Sequence, residues 1–366
     1  MGKRIIEIGL LFSRSGDYRL ISESCRTGAL NAIARVNEDQ TFDFKFHAVE
    51  RDPKSDIDKY EPLCAEILKD STARHIIGCV TSSSRKEVIP TLERSGGTLW
   101  YTVPYEGFEA SDHVVYTHSC PNQHLLPLLD WAFSTYGKRG YLTGSNYIWG
   151  WEMNRIAREE IEAAGGEVLG ERYLPIGSPN VDLMMDEIIK LRPSFIMNSL
   201  IGESQYKFIS AYYDLGKKDA HFLPDTCPIM SCNLTECELP ALGDTSEGLI
   251  SAGPYFKGQS DWPHGNEFSS SHEAGTFAAV MELARLLSLD ESADQMSLAK
   301  LLAQDDADQG IIDPKTHHTK LPVLIAQVEN GTFVTRRQFA PVMGDPYLSR
   351  GRKELQIVGP DLRIVS

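Results

Sequence analysis

The run Thr81-Ser82-Ser83-Ser84 places four small hydroxyl residues between a short apolar run, His75 to Val80, and a helical pattern that follows. Residues of this type cap a helix by accepting from its first backbone N–H groups. The same hydroxyls and free N–H donors can instead hold a ligand carbonyl or carboxylate, and both readings stand. A second group, Trp100-Tyr101-Thr102-Val103-Pro104-Tyr105-Glu106-Gly107-Phe108-Glu109, is aromatic where the chain turns, with Pro104 and Gly107 setting the turn. Aromatic clusters are more often core than site, but these rings could line a cleft. A third group, Gly144-Ser145-Asn146-Tyr147-Ile148-Trp149-Gly150-Trp151, stands at a matching strand end further along. The two aromatic loops read as opposed jaws.

Covalent chemistry has little support. Cys79 could act as a nucleophile with His75 as its base, but four residues along a strand separate them by about 13 Å, beyond hydrogen-bond reach. His317-His318 lies in a Thr- and Lys-containing turn, where a surface or loop-packing role is the safer reading. Cys227, Cys232 and Cys237 are spaced five apart without a Cys-x-x-Cys pair or a nearby His, a poor fit to a zinc site. No nucleophile elbow, no P-loop and no dinucleotide fingerprint occurs. No cofactor and no metal are expected.

The elements that must position these groups alternate. Ile5 to Phe12 is a buried-strand run, and Ile21, Cys25, Ala29, Ile33 and Val36 recur at helical spacing. A strand follows at Phe44 to Ala48, a helix at Ile57 to Leu68, and then strand, helix, strand from His75 to Val103. In such a unit the loops Thr81–Ser84 and Val103–Phe108 lie side by side at the carboxyl edge of a parallel sheet, where ligands bind. The alternation resumes after Cys120-Pro121-Asn122, a candidate hinge. Helices are expected at Gln123–Tyr136, Trp151–Ala164, Val181–Leu191 and Ser204–Leu215, with strands at Gly140–Gly144, Val168–Leu174 and Ser194–Ile201 between them. A long helix from Ser271 to Leu287 and a hairpin about Asn330-Gly331 close the chain. The fold class is therefore α/β, with two doubly wound lobes.

A chain of 366 residues fits two domains. Its formal net charge of −15 argues against a nucleic-acid or anionic-membrane surface, which would need clustered Lys and Arg. Glu7 interrupts the first apolar run, so no signal peptide is read there, and no apolar segment approaches the roughly 20 residues that span a bilayer. Free cysteines inside apolar patterns, Cys25, Cys64 and Cys79, suit a reducing compartment. A cytoplasmic location is expected.

Several motifs together resemble a known family. Gly9-Leu-Leu-Phe-Ser-x-Ser-Gly16, the Ser-x-x-Arg-Lys-x-Val-x-Pro run ending at Pro90, Pro104-Tyr-Glu-Gly-Phe-Glu109, Pro121-Asn-Gln123, Gly144-Ser-Asn-Tyr147, Gly253-Pro-Tyr-Phe256 and Asp313-Pro-Lys-Thr-His-His318 resemble the amide- and urea-binding branch of the type I periplasmic-binding-protein fold. Within it the chain is most similar to the cytoplasmic amide sensors that negatively regulate aliphatic amidase operons. The resemblance implies two doubly wound parallel-sheet lobes joined by three crossovers, with residues 1–119 and 254–330 in one lobe and 120–253 and 331–366 in the other. It implies a cleft that closes on a small amide without catalysis. Ser82 would hydrogen-bond the ligand, Tyr101 and the Val103-Pro104 turn would line one wall, and Tyr147, Trp149 and Ser231 would stand on the other. Val80 replaces an expected Tyr and Val103 an expected Thr, which implies a larger or less polar amide. The expected partners are that amide, an RNA-binding antiterminator protein and further copies of the chain. The alternative is the solute receptor of an importer for amides, urea or branched-chain amino acids.

Overall fold

The computed structural model describes residues 2–258, 262–305, 310–349 and 355–358. The first half alternates as expected: β1 (Arg4–Leu11), α1 (Arg19–Glu38), β2 (Phe44–Arg51), α2 (Tyr60–Asp70), β3 (His75–Gly78), α3 (Ser82–Ser95), β4 (Thr98–Tyr101) and β5 (Val114–Tyr116). The strands pair in the order β2-β1-β3-β4-β5, all parallel. Ile21, Cys25, Ala29, Ile33 and Val36 of α1 are buried, as their spacing predicts. Because Ile77 of β3 stands opposite Trp100 of β4, the loops that follow these two strands emerge side by side.

The second half continues through α4 (Leu125–Thr135), β6 (Arg139–Ser145), α5 (Ile148–Ala163), β7 (Glu167–Leu174), α6 (Asp182–Leu191), β8 (Phe195–Ser199), α7 (Gly202–Gly216), β9 (Ile229–Ser231), α8 (Leu239–Leu242) and β10 (Ile250–Gly253). After these come α9 (Ser271–Leu287), α10 (Leu298–Ala303), β11 (Lys320–Glu329) and β12 (Thr332–Met343). The second sheet runs β12-β11-β10-β9-β8-β6-β7 and is parallel except where β11 meets β10 and β12. Asn330 and Gly331 both take positive φ, 52° and 74°, and make the β11–β12 hairpin expected of that pair.

Two features depart from the expected order. β5, β9 and β10, of three or four residues each, were not anticipated. The lobe boundary expected at residue 330 also falls earlier. β11 pairs antiparallel with β10, Ile250 opposite Gln327, so residues 320–329 belong to the second sheet and the last crossing precedes Lys320. Of the tail assigned to that lobe, residues 350–354 and 359–366 lie outside the described residues.

The chain thus crosses three times: after β5, between β10 and α9, and before β11. α9 returns to the first lobe because it packs on α1, where Gly28 lets the helices touch; a Cβ there would sit 2.3 Å from the Glu273 carbonyl oxygen. The first and third crossings are strapped together. Gln123 Nε2, in a single 3-10 turn at Pro121–Gln123, donates to the Thr319 and Val342 carbonyls at 2.9 and 2.8 Å. Among the described residues no helix is long and apolar enough to cross a membrane.

Candidate functional site

The site begins where β3 ends. Gly78 lies so close to β1 that a Cβ would meet the Leu11 carbonyl oxygen at 2.5 Å. Cys79 then takes φ 61°, a left-handed conformation rare for a residue with a side chain, and turns the backbone into the α3 start. Thr81 caps that helix. Its hydroxyl accepts from the Ser84 N–H, and the Ser84 hydroxyl accepts from the Thr81 N–H, both at 3.2 Å. The capping reading therefore holds for Thr81 and Ser84. Ser82 is different: its hydroxyl donates to Glu106 Oε2 at 2.7 Å, with both residues buried.

Around this bond lies a buried charge network. Arg85 has no exposed surface; its Nη2 donates to Glu106 Oε1 at 2.6 Å and its Nε to Glu109 Oε1 at 2.8 Å. Its guanidinium stacks over the rings of Tyr101 and Tyr105, 4.7 Å from each centroid. Lys86 pairs with Glu109, and the Tyr116 hydroxyl donates to the same carboxylate at 2.7 Å. Burial alone would raise the Glu109 pKa, but the Arg85 charge and the bonds from Lys86, Tyr116 and Arg85 outweigh it and hold it at about 2. His318 stacks on Tyr116 with centroids 4.3 Å apart and rings 12° from parallel. His317 and His318 are thus buried and pack the loop, and the surface role considered for them is wrong.

The structure brings most of the expected residues together. Val80, Ser82, Tyr101, Val103 and Pro104 are buried along the edge formed by the β3 and β4 loops. Tyr147, the residue before α5, is half-buried. Its phenol pKa is raised by burial and then by neighbouring Tyr101, Glu106 and Tyr18, against Arg85, so the ring from the second lobe stands beside the same cluster. Trp149 is buried, packs edge-on to His124 at 6.0 Å, and keeps an indole N–H with no partner among the described residues. Ser231 is occupied locally: its hydroxyl donates to Asn233 Oδ1 at 2.9 Å and accepts from the Asn233 and Leu234 N–H groups at 3.2 Å each.

The lobes are closed over this cluster. The Asp17 carbonyl, in the loop after β1, lies 2.4 Å from where a Cβ at position 202 would stand, and Gly202 has φ 62°. A Cβ at Gly177 would stand 2.9 Å from Asp17 Oδ2. Arg155 of α5 sits 4.5 Å over the Phe108 ring of the first lobe. Open grooves lie elsewhere, one of about 770 Å³ beside Glu236 and Phe333 on the second lobe and one of about 460 Å³ beneath Trp262 and Leu321.

Cys79 is no nucleophile in this setting. Burial pushes its thiol pKa well above the ordinary value, and its Sγ donates to the Ser84 carbonyl. His75 Nδ1 instead accepts from the Trp100 indole N–H at 3.3 Å. Among the described residues no three His, Cys, Asp or Glu side chains gather as a metal-binding group.

Arg85, Glu106 and Glu109 were not singled out as site residues from the sequence. A signal existed: Arg85 follows Ser82 by three residues, so both lie on one face of α3.

Two α/β lobes, joined by three crossings and closed over a buried polar and aromatic cluster, define a bilobal binding protein. The chain belongs to the periplasmic binding protein domain family, whose profile matches residues 6–353. Solved structures share the fold. The solute-binding protein of an R. palustris ABC transporter, in complex with 4-hydroxybenzoate, is similar at 19% identity and a TM-score of 0.79, covering 95% of this chain and 100% of that one. The branched-chain amino acid transporter substrate-binding protein LivJ of Streptococcus pneumoniae, in complex with isoleucine, matches at 14% identity and 0.76, covering 93% and 100%. The leucine-binding protein LivK of Thermotoga maritima matches at 14% and 0.75, covering 90% and 97%. These are binding proteins.

Proposed function

We propose that this chain is a non-catalytic sensor of a small amide or urea-like ligand. The ligand would lie between Ser82, Tyr101, Val103 and Pro104 on one lobe and Tyr147 and Trp149 on the other. Ser231 would support the second wall by holding its own turn. The observation that carries the reading is the neutrality of the wall. Arg85, the cation buried there, and Lys86 at its edge together balance Glu106 and Glu109, with rings packed around Arg85. A neutral planar ligand can enter such a site without bringing an unpaired charge out of water.

In this reading the protein is a cytoplasmic negative regulator of an amidase or nitrile-degradation operon. The lobe angle would report the ligand, since a ligand shifts an equilibrium only by its difference in affinity for the two forms. The net charge of −15 suits a basic RNA-binding antiterminator as the regulated partner, without direct contact to nucleic acid. A second reading, the solute receptor of an importer, draws on the names of the solved structures that share the fold.

Thermal-shift measurement with acetamide, propionamide, urea, isoleucine and 4-hydroxybenzoate tests this. At a hundredfold excess over its dissociation constant, a binding amide stabilises the protein by ~2.7 kcal/mol and raises Tm. A shift with isoleucine or 4-hydroxybenzoate alone would replace the amide reading with the importer one.

A further inference from the structure

We infer that Glu106 fixes the polarity of the Ser82 hydroxyl, and that this selects a neutral ligand carrying N–H, a primary amide or a urea, against the carboxylate of the same shape. The inference rests on the cleft reading above and names the group that sets its specificity.

Both Glu106 oxygens are occupied. Oε1 takes Arg85 Nη2 at 2.6 Å and Oε2 takes the Ser82 hydroxyl at 2.7 Å. Glu106 is 1% exposed and cannot turn away, because Arg85 is pinned in turn by Glu109 and by two tyrosine faces. A serine hydroxyl has one hydrogen to donate and two lone pairs to accept with. With the hydrogen committed to Glu106, Ser82 presents only lone pairs to any further group. An atom that approaches Ser82 Oγ must therefore bring an N–H or O–H of its own.

The neighbouring backbone has the opposite polarity. Ser82 and Ser83 are the first two residues of α3, and their N–H groups have no carbonyl one turn back within the helix. Thr81 takes the N–H groups of Ser84 and Arg85 through its hydroxyl and carbonyl. This corner thus offers donors beside one acceptor, which an amide matches with its carbonyl and its NH₂. A carboxylate brings acceptors alone, and one oxygen would face the Ser82 lone pairs with the two Glu106 oxygens, already accepting from Arg85 and Ser82, behind them. An amino acid brings an ammonium donor, but the second-lobe strands β6, β8, β9 and β10 end at Ser145, Ser199, Ser231 and Gly253, none of them charged. The Ser199 hydroxyl there is buried and has no partner among the described residues.

Isothermal titration of the full chain with propionamide, propionate and alanine tests the inference. Wild type is expected to bind propionamide at least about tenfold more tightly than either acid, the scale of one unmatched buried hydrogen bond. In Glu106→Gln the new amide can donate to Ser82 Oγ and free its hydrogen. Propionate binding should then strengthen while propionamide weakens, narrowing their ratio at least about tenfold; loss of structure alone would weaken both. Ser82→Ala should weaken propionamide by about tenfold and leave propionate within about threefold. If Glu106→Gln does not fold, Ser82→Ala decides alone: a retained ratio overturns the inference and a lost one supports it. Wild type that prefers propionate, or a folded Glu106→Gln with an unchanged ratio, overturns the polarity inference while leaving a binding cleft. Failure of folded wild type to bind propionamide overturns the amide reading and this inference with it.

Discussion

On acidification below pH 6.5 the protein is expected to lose about 4–5 kcal/mol of stability per pH unit and to unfold cooperatively between about pH 5.5 and 4.5. The cause is five histidines, His75, His118, His124, His272 and His318, each at most 3% exposed. Burial is the first cause of the lowered pKa in every case: to about 4 for His75, His272 and His318, to about 3 for His124, and well below the ordinary value for His118. The native state keeps these rings neutral while the unfolded chain protonates them near 6.5. Their contribution is therefore complete above that value and is lost as the pH falls towards 4, at about 1.4 kcal/mol per ring per unit. Glu238 acts in the opposite sense: burial raises its pKa to about 7, so the folded state takes up that proton first and gains stability down to the ordinary carboxylate range. Glu236 does the same, its pKa also raised to about 7 by burial. The equivalent of about three histidines remains uncompensated. Far-UV circular dichroism across a pH series checks this, and a native spectrum retained at pH 4 would contradict it.

The second large effect is expected from Arg85→Ala, a loss of about 3–5 kcal/mol at neutral pH, because removing one partner of a buried ion pair strands the other. Here two carboxylates, Glu106 and Glu109, lose their cation, and Tyr101 and Tyr105 lose the group stacked between them. Glu109 is held at about 2, so the stability it draws from Arg85 is fully present above the ordinary carboxylate range, which covers the whole pH range in which the protein stays folded. Urea denaturation at pH 7 measures the cost, and a loss below about 1 kcal/mol would show that the network contributes little.

What could be read from the sequence follows from how local the signal is. β1, β3 and β6 are apolar runs bounded by polar turns, and α1 and α9 carry their buried faces in their own spacing. β5, β9 and β10 have three or four residues, too few for a period, and are strands only through partners far along the chain. β11 was assigned to the wrong lobe for a related reason: its hairpin is local, but its other edge pairs with β10 some seventy residues earlier. In the candidate site, Ser82, Tyr101 and Tyr147 are legible in the sequence as strand-end residues of a recognisable type. The pairing of Arg85 with Glu106 and Glu109 was not found, since a Lys- and Arg-bearing helix face is ordinarily solvated and only tertiary contact buries this one. The direction of the Ser82 hydroxyl depends on that pairing and could not be read without it.

In the function proposed above, the closed cleft holds a small amide between Ser82 and Tyr147. A crystal structure of the chain grown with propionamide tests it most directly. Density is expected there, with the ligand carbonyl at the Ser82 and Ser83 N–H groups and its nitrogen about 3 Å from Ser82 Oγ. Propionamide found only in the second-lobe groove beside Glu236 and Phe333, or a cleft occupied instead by a carboxylate bound at Ser82, would contradict it.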